Sequence, residues 1–321
     1  MIKKLPFNNN SLIKTYPYFA DYLGILDGCN INTDEFIINN FLSMNYIPVT
    51  GQVNFSKKTS LKNLFIIENF DVESSNIIAF IKENINQNRY VIILLNDNNF
   101  ERKMEHPLGI HSWLVYGYND AEKIFNVCGY IIENGCNIYK KIELRYDELR
   151  KSYPKHLTYI EKNRISSNQT CEVPNNIIEK NNKNIPKKVS VCFNLLIKNT
   201  LILLMLRIHN CFFSKMKIKP YKRNFLDLRD LRIFYEHSIA VDLYLKYNEF
   251  DSLYESNENI KLTQNNLIIA TKFRLLKNKL NKKDYSKKIN NNLKKINKNQ
   301  ILIAKKLLSS HKNEVKYEEI S

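Results

Sequence analysis

Apolar residues recur in two different patterns in the first half of the chain. Between residues 74 and 85 the isoleucines follow the three- and four-residue spacing of one helical face, and Ser74 is a suitable N-cap. Four later segments have the continuous or alternating apolar pattern of strands, and they are residues 90–95, 111–118, 124–130 and 136–144. This order predicts an α+β domain with antiparallel strands.

The second half of the chain has mostly helical spacing. Residues 160–188 are polar and contain Pro174 and Pro186, which is typical of a linker. Beyond them, three segments place apolar residues at helical spacing, and they are residues 227–247, 263–280 and 284–311. We therefore predict a first domain over 1–159, a linker over 160–188 and an all-helical domain over 189–321.

The composition is that of a folded, basic protein. Hydrophobic residues make up 44% and aromatic residues 12% of the 321 residues, which excludes a disordered chain. The formal net charge is +17, with a pI near 9.4. A charge of this size favours an acidic partner, such as nucleic acid, an anionic membrane surface or an acidic protein.

The sequence predicts no secretory leader, membrane span or metal site. No apolar stretch follows Lys3 and Lys4, and the most apolar segment, 191–213, is interrupted by charged residues. The six cysteines include no Cys-x-x-Cys pair, so neither a zinc site nor a disulfide framework is predicted. We expect a cytoplasmic protein with reduced thiols.

The hairpin around the turn NDAEK holds the first candidate for chemistry. If Tyr118 lies opposite Lys123, alternation places six side chains on one face of the hairpin. These are His111, Trp113, Val115, Asn126, Cys128 and Tyr130. A strand-borne His, with an amide on the next strand and a Cys earlier in the chain, is the arrangement of papain-type enzymes. Their chemistry needs a thiolate, a base that generates it and a group that orients the imidazole.

Several short motifs resemble those of a known family. The segment from the Ser74 helix through YVIILL, HSWLVYGYND and FNVCGY resembles the C39-like papain-fold domains, and more closely the butirosin biosynthesis protein H N-terminal family. DLRDLRIFYEH and the helices after it resemble the helical extension of related proteins. The resemblance implies a papain-like cysteine-protease fold domain followed by an all-helical domain. It also implies acyl transfer from a carrier-protein thioester, or peptide cleavage, in peptide natural-product biosynthesis, with no metal or redox cofactor.

On this resemblance Cys29 is the nucleophile, His111 is the general base and Asn126 orients the imidazole. Trp113 and Asp97 are expected to line the substrate site. Plainer interpretations stay open, because Trp113 could be a core residue and Cys29 an ordinary loop thiol. His111 could be a hydrogen-bonded residue at a strand end. The chain would then be a non-catalytic relative that binds a partner.

Three further features have alternative interpretations. Asp34 and Glu35 follow Cys29 in the first turn of a predicted helix, where their carboxylates raise the pKa of a thiol. Cys128 is an alternative nucleophile on the predicted His111 face. Glu236 and His237 match a Glu-His pair of the helical extension, and we interpret them as a buried polar pair.

The basic C-terminal segment is either a solvated helical face or a surface for an acidic partner. Between Lys272 and Lys306 the only acidic residue is Asp284. A basic surface could steer an acidic carrier protein. No helix-turn-helix, zinc finger or aromatic-interleaved basic motif supports nucleic-acid binding, so that partner ranks lower. The apolar stripe of the last helix could also form a homodimer.

Overall fold

The computed structural model of the chain divides into two compact units. Unit 1 comprises residues 1–33 and 60–184, and unit 2 comprises residues 34–59 and 185–321. Both units are therefore discontinuous in sequence. The structure describes residues 1–14, 16–42, 44–47, 52–55, 64–101, 108–133, 136–154, 168–174 and 228–247, with single positions between 257 and 302.

The described chain contains both strands and helices. In chain order the strands are β1 (Ile2–Lys4), β2 (Met44–Ile47), β3 (Gln52–Phe55), β4 (Ile66–Asn69), β5 (Tyr90–Asn96), β6 (Ile110–Asn119), β7 (Ile124–Glu133), β8 (Cys136–Arg145) and β9 (Gln169–Glu172). The helices are α1 (Pro17–Gly28), α2 (Asp34–Phe41), α3 (Ile77–Asn86), α4 (Tyr146–Ser152) and α5 (Leu228–Tyr247). All β-strands except β2 and β3 belong to unit 1.

Unit 1 is built on one antiparallel sheet with the strand order β4-β9-β5-β6-β7-β8. The first half of β6 pairs with β5, and its second half pairs with β1 on the same side. This is possible because β6 has ten residues and β5 reaches only as far as Val115. The resulting sheet places the longest strands, β6 to β8, next to one another.

One face of this sheet, face 1, carries Leu95, His111 and Trp113, because these residues alternate in register on β5 and β6. Helices α3 and α4 cover face 1. The Tyr118 hydroxyl donates a hydrogen bond of 2.7 Å to the Asn86 side chain of α3. Helix α3 forms because its isoleucines recur every fourth residue, and those at positions 77, 81 and 85 are fully buried.

The opposite face, face 2, is covered by α1 and the N-terminal segment. It carries Tyr90, Tyr130 and Tyr139. The Tyr139 hydroxyl donates to the Asp21 carboxylate of α1, and the Tyr130 hydroxyl donates to the main-chain carbonyl of Lys14. Pro at the first helical position starts α1, where its missing N–H costs nothing.

Unit 2 combines α2, the hairpin β2–β3 and α5. Helix α5 contacts both α2 and β3. The Tyr247 hydroxyl donates a 2.5 Å hydrogen bond to Asp34, and Phe41 packs edge-to-face on Phe55 at 4.6 Å between ring centroids. The bond between Tyr247 and Asp34 ties α2 to a helix about 200 residues further along the chain.

The predicted α+β class is confirmed, since the described chain combines helices with a largely antiparallel sheet. The four predicted strands correspond to β5, β6, β7 and β8. Residues 169–172 form β9, so part of the predicted linker is an internal strand of the sheet. The sequence pattern also missed α1, because its residues from 19 to 26 are buried on every side and show no amphipathic period.

Other predictions fall largely outside the described residues. The segment 191–213 and the predicted helix over 263–280 lie there almost entirely. Of the predicted last helix, the described positions between 291 and 302 are helical, and Ile296 is buried. Among the helices that the structure describes, none is both long and apolar enough to cross a membrane.

Candidate functional site

His111 lies on face 1 near the start of β6, with its side chain 16% exposed. Its Nδ1 atom is 3.2 Å from the Gly109 carbonyl oxygen, and its Nε2 atom is 3.2 Å from the Tyr130 carbonyl oxygen. A neutral imidazole has one N–H and can donate to only one of these carbonyls. Burial lowers the pKa of His111, while Asp97 and the two carbonyls act in the opposite direction.

Asp97 follows β5 and binds the main chain just before β6. One carboxylate oxygen accepts from the Gly109 N–H at 2.7 Å, and the other accepts from the Leu108 N–H at 2.8 Å. The second oxygen is also 3.9 Å from Nδ1 of His111. The carboxylate is 1% exposed, so Asp97 anchors the main chain from within the protein and lies beside the imidazole without a hydrogen bond to it.

Trp113 is a buried neighbour of His111 on face 1. Its ring centroid is 5.1 Å from that of His111 and 5.1 Å from that of Phe100. The indole also lies on Gly129, where a Cβ atom would come within 2.5 Å of the ring. Trp113 has no exposed surface, and its Nε1 atom has no hydrogen-bond partner in the described structure. These contacts fit the core interpretation of Trp113 better than a substrate-lining one.

The register predicted for the hairpin is wrong. Tyr118 lies opposite Phe125, and a β-bulge between Val115 and Gly117 shifts the pairing further along, so that Leu114 lies opposite Cys128. Asn126, Cys128 and Tyr130 therefore occupy face 2, whereas His111, Trp113 and Val115 occupy face 1. The sheet separates Asn126 from the imidazole that it was predicted to orient.

Cys29 is the C-cap residue of α1, and its sulfur lies 3.8 Å from the Tyr90 hydroxyl on face 2. Burial raises the pKa of this thiol, and the hydrogen bond with Tyr90 only partly offsets the effect. The C-terminus of a helix carries partial negative charge, which further disfavours a thiolate. His111 is opposite Leu95, five residues from Tyr90 and about 16 Å further along the strand. The structure thus does not bring Cys29 to His111.

Cys128 and Cys171 are buried on face 2 as well. Burial raises the pKa of both thiols, and the nearby Asp21 raises each of them further. A buried strand thiol with a raised pKa stays protonated and unreactive. Hence the three cysteines whose side chains the structure describes all lie away from the His111 face.

Asp21 is a site residue that the sequence pattern did not reveal. It is a buried carboxyl group on α1 that accepts a hydrogen bond from the Tyr139 hydroxyl. Burial raises the pKa of Asp21 to about 7, although the Tyr139 hydrogen bond lowers it. An acid in the middle of the apolar run FADYLGIL was the available signal, but it had meaning only once the run was assigned to a buried helix.

Unit 2 contains the Glu-His pair on α5, and both side chains are buried, as predicted. Nδ1 of His237 lies 3.0 Å from the Phe41 carbonyl oxygen of α2. Burial lowers the pKa of His237 to about 4, against a raising effect of that hydrogen bond. Glu236 has Arg232 as an ion-pair partner at 3.6 Å. The pair joins two helices within unit 2.

Neither the possible metal ligands nor the comparisons with known proteins assign a function to the site. In the part of the chain that the structure describes, no group of three His, Cys, Asp or Glu side chains could hold a metal ion. No family model matches the sequence, and no curated protein is significantly similar to it. Of the predicted site residues, the structure brings Asp97, His111 and Trp113 together in unit 1.

Proposed function

We propose that this protein is a non-catalytic relative of the papain-like cysteine enzymes and acts by binding an acidic protein partner. The observation that carries the proposal is the placement of Cys29 and His111 on opposite faces of one sheet. A cysteine acyltransferase or peptidase needs the imidazole within hydrogen-bonding reach of the thiol. Of the two functions predicted from the sequence, the binding function agrees better with this geometry.

The surroundings of His111 support the same choice. Both ring nitrogens face main-chain carbonyl oxygens, and Asp97 is committed to two main-chain N–H groups. A general base needs one ring nitrogen directed at the group whose proton it accepts. In His111 both ring nitrogens are instead directed at main-chain carbonyl oxygens, one on β7 and one just before β6.

The fold implied by the resemblance is part of the proposal. Unit 1 packs helices on an antiparallel sheet and carries a His and an Asp at neighbouring strand ends, features in keeping with a papain-like ancestor. The resemblance further leads us to propose a largely helical C-terminal region and a cytoplasmic location.

The charge distribution leads us to propose unit 2 as the binding part. Unit 1 contains 19 basic and 18 acidic residues, whereas unit 2 contains 30 basic and 14 acidic residues. Almost the whole excess of +17 therefore belongs to unit 2. A charge so concentrated raises the association rate with an acidic partner. Carrier proteins are acidic, which is why we propose one as the partner.

Alkylation of the cysteines tests the non-catalytic part of the proposal. Iodoacetamide labelling from about pH 5 to pH 9, mapped by mass spectrometry, should show Cys29 reacting more slowly than a free thiol of pKa about 8.5. His111→Ala should leave that rate unchanged, with Asp97→Asn as a matched control beside it. A Cys29 that reacts fast at low pH and slows without His111 would make the protein an enzyme.

Binding of a polyglutamate peptide tests the partner. We expect the full chain to bind the labelled peptide at about 50 mM salt and to release it at about 300 mM. Replacing Lys282, Lys283, Lys287 and Lys288 together by Gln should weaken binding several-fold, while His111→Ala should not. Duplex and single-stranded oligonucleotides of equal charge serve as competitors. Tighter binding of either oligonucleotide would replace the acidic protein by nucleic acid.

A further inference from the structure

We propose that α1 is a pH-dependent cover of face 2, which stays closed while Asp21 is protonated and lifts from the sheet when Asp21 ionises. Asp21 lies within α1 and is buried. Its carboxyl group accepts a hydrogen bond from the Tyr139 hydroxyl of β8. Among the described residues, no Lys, Arg or His forms an ion pair with Asp21. A carboxylate buried without a cation is far less stable than one in water.

The ionisable groups packed around Asp21 are phenols and thiols. They are Tyr18 and Tyr22 on α1, Cys128 on β7, Tyr139 on β8 and Cys171 on β9. Phenols and thiols are neutral at pH 7 even in water, and burial raises the pKa of Tyr22, of Tyr139 and of both thiols further. Asp21, whose pKa burial raises to about 7, is therefore the group of this cluster that titrates near neutral pH.

Two lysines of the elements around α1 are bound elsewhere. Lys141 of β8 donates a 2.8 Å hydrogen bond to the Phe7 carbonyl. Lys14, which precedes α1, donates to the Asn10 side chain at 3.5 Å. Neither lysine forms an ion pair with Asp21. Ionisation of Asp21 therefore leaves an uncompensated charge in the core, and admitting water to it relieves the cost.

The element that moves to admit water is α1. Its side chains are joined to the sheet by single hydrogen bonds, such as that of 3.0 Å from the Tyr22 hydroxyl to Gln169 of β9. Beneath it, β7 and β8 are joined by a main-chain ladder along their whole length. Separating α1 from the sheet breaks fewer hydrogen bonds than separating the strands, so it is the opening of lower free energy.

Lifting α1 uncovers two thiols. Cys128 and Cys171 are buried on face 2, and the carboxyl group of Asp21 is close enough to raise the pKa of each. Once the helix is away from the sheet, both thiols meet solvent and regain the reactivity of an ordinary cysteine. Their alkylation under native conditions therefore reports the opening of the cover.

The size of the effect follows from the two pKa values of Asp21. The pKa is about 7 with the cover closed and about 3.9 in water. Protonated Asp21 keeps the cover closed below about pH 4, and this contribution is lost as the pH rises through about 7. The opening constant should thus rise about tenfold per pH unit between these limits and level off above them.

Alkylation of the full chain with iodoacetamide from about pH 5 to pH 8, mapped by mass spectrometry, tests the cover. For Cys128 and Cys171 the ratio of the wild-type rate to the Asp21→Asn rate cancels the titration of the thiol itself. We expect this ratio to rise at least about tenfold from about pH 5 to pH 7. Asp27→Asn, the same substitution near the end of α1, is the control and should behave as wild type does.

Amide hydrogen exchange distinguishes a moving helix from unfolding of the whole unit. The protection factors of α1 in wild type should fall over the same pH interval and stay below those of α3. Equal protection factors in α1 and α3 at pH 7 would overturn the proposal, because the unit then opens as one body. A rate ratio that does not change with pH would also overturn it. If Asp21→Asn does not fold, wild-type protection factors in α1 that do not fall between about pH 5 and pH 7 have the same consequence.

Discussion

Unit 1 and unit 2 each bury an ionisable group, and the two groups respond to burial in opposite directions. In unit 1 burial raises the pKa of the Asp21 carboxyl to about 7. In unit 2 burial lowers the pKa of the His237 imidazole to about 4. The physical cause is the same, since a low-dielectric interior disfavours the charged form of an acid and of a base alike. These two groups therefore contribute to the pH dependence of stability in opposite directions.

The largest expected effect comes from a substitution in the core of unit 1. Trp113→Ala should lower the free energy of unfolding by about 3–5 kcal/mol, because it removes a fully buried ring packed on Phe100, His111 and Gly129. Hydrogen exchange should show faster exchange in β5 and β6, with α5 unchanged. Trp113→Phe is the milder control. Equal losses of protection in α5 would show that the two units unfold together.

The second prediction concerns pH and unit 1. The folded-state pKa of Asp21 is above its unfolded value of about 3.9, so its stabilising contribution is complete below about pH 4 and is lost as the pH rises through about 7. The whole change is on the order of 4 kcal/mol. Urea unfolding can be followed by the fluorescence of Trp113, the single tryptophan of the chain.

Asp21→Asn isolates this effect. The variant keeps an oxygen that can accept from Tyr139 and has no charge to bury. Its difference from wild type should grow between about pH 4 and pH 7 and then level off. His111, whose pKa is lowered by burial, is present in both proteins, so its contribution cancels. A difference that does not change with pH would contradict the buried placement of Asp21.

The third prediction concerns pH and unit 2. The folded-state pKa of His237 is below its unfolded value of about 6.5, so its contribution is complete above pH 6.5 and is lost as the pH falls through about 4. The change is on the order of 3 kcal/mol. The protection factors of the α5 amides, which are corrected for the intrinsic pH dependence of exchange, should therefore fall on acidification, and His237→Gln should abolish most of this fall. Wild-type protection factors in α5 that do not fall would contradict it.

The smallest expected effect concerns the Asp97 anchor. Asp97→Ala leaves the N–H groups of Leu108 and Gly109 without their acceptor, which should cost about 1–3 kcal/mol. Exchange of those two amides should rise more than that of β7. Asp97→Asn keeps an acceptor and should lose less. If the two variants behave alike, the carboxylate charge rather than its hydrogen bonds is what holds the chain.

In the hairpin that carries His111, the strands were predicted correctly and their pairing register was not. The strands around His111 were found because alternation and apolar runs are local properties of a few residues. The pairing register failed because a single bulge residue between Val115 and Gly117 shifts the partner strand without any signature in the sequence. That shift moved Asn126 and Cys128 to face 2 and separated the residues of the predicted site.

Two elements were missed for a related reason. Strand β9 has the polar sequence QTCE, and it is a strand because β4 and β5 supply partners on both sides. Helix α1 is buried all around, so it lacks the amphipathic period by which a surface helix is recognised. In both cases neighbours distant in sequence override local propensity.

The sequence by itself determined the α+β class, the strands β5 to β8, helices α3 and α5, and the basic excess, because each depends on residues close together in the chain or on composition alone. Tertiary structure alone decided which residues meet. It placed Cys29 and His111 on opposite faces, brought Asp97 to within 3.9 Å of His111 and buried Asp21 beside Tyr139. Such juxtapositions depend on strand order, register and long-range packing, where a shift of one residue reverses a face.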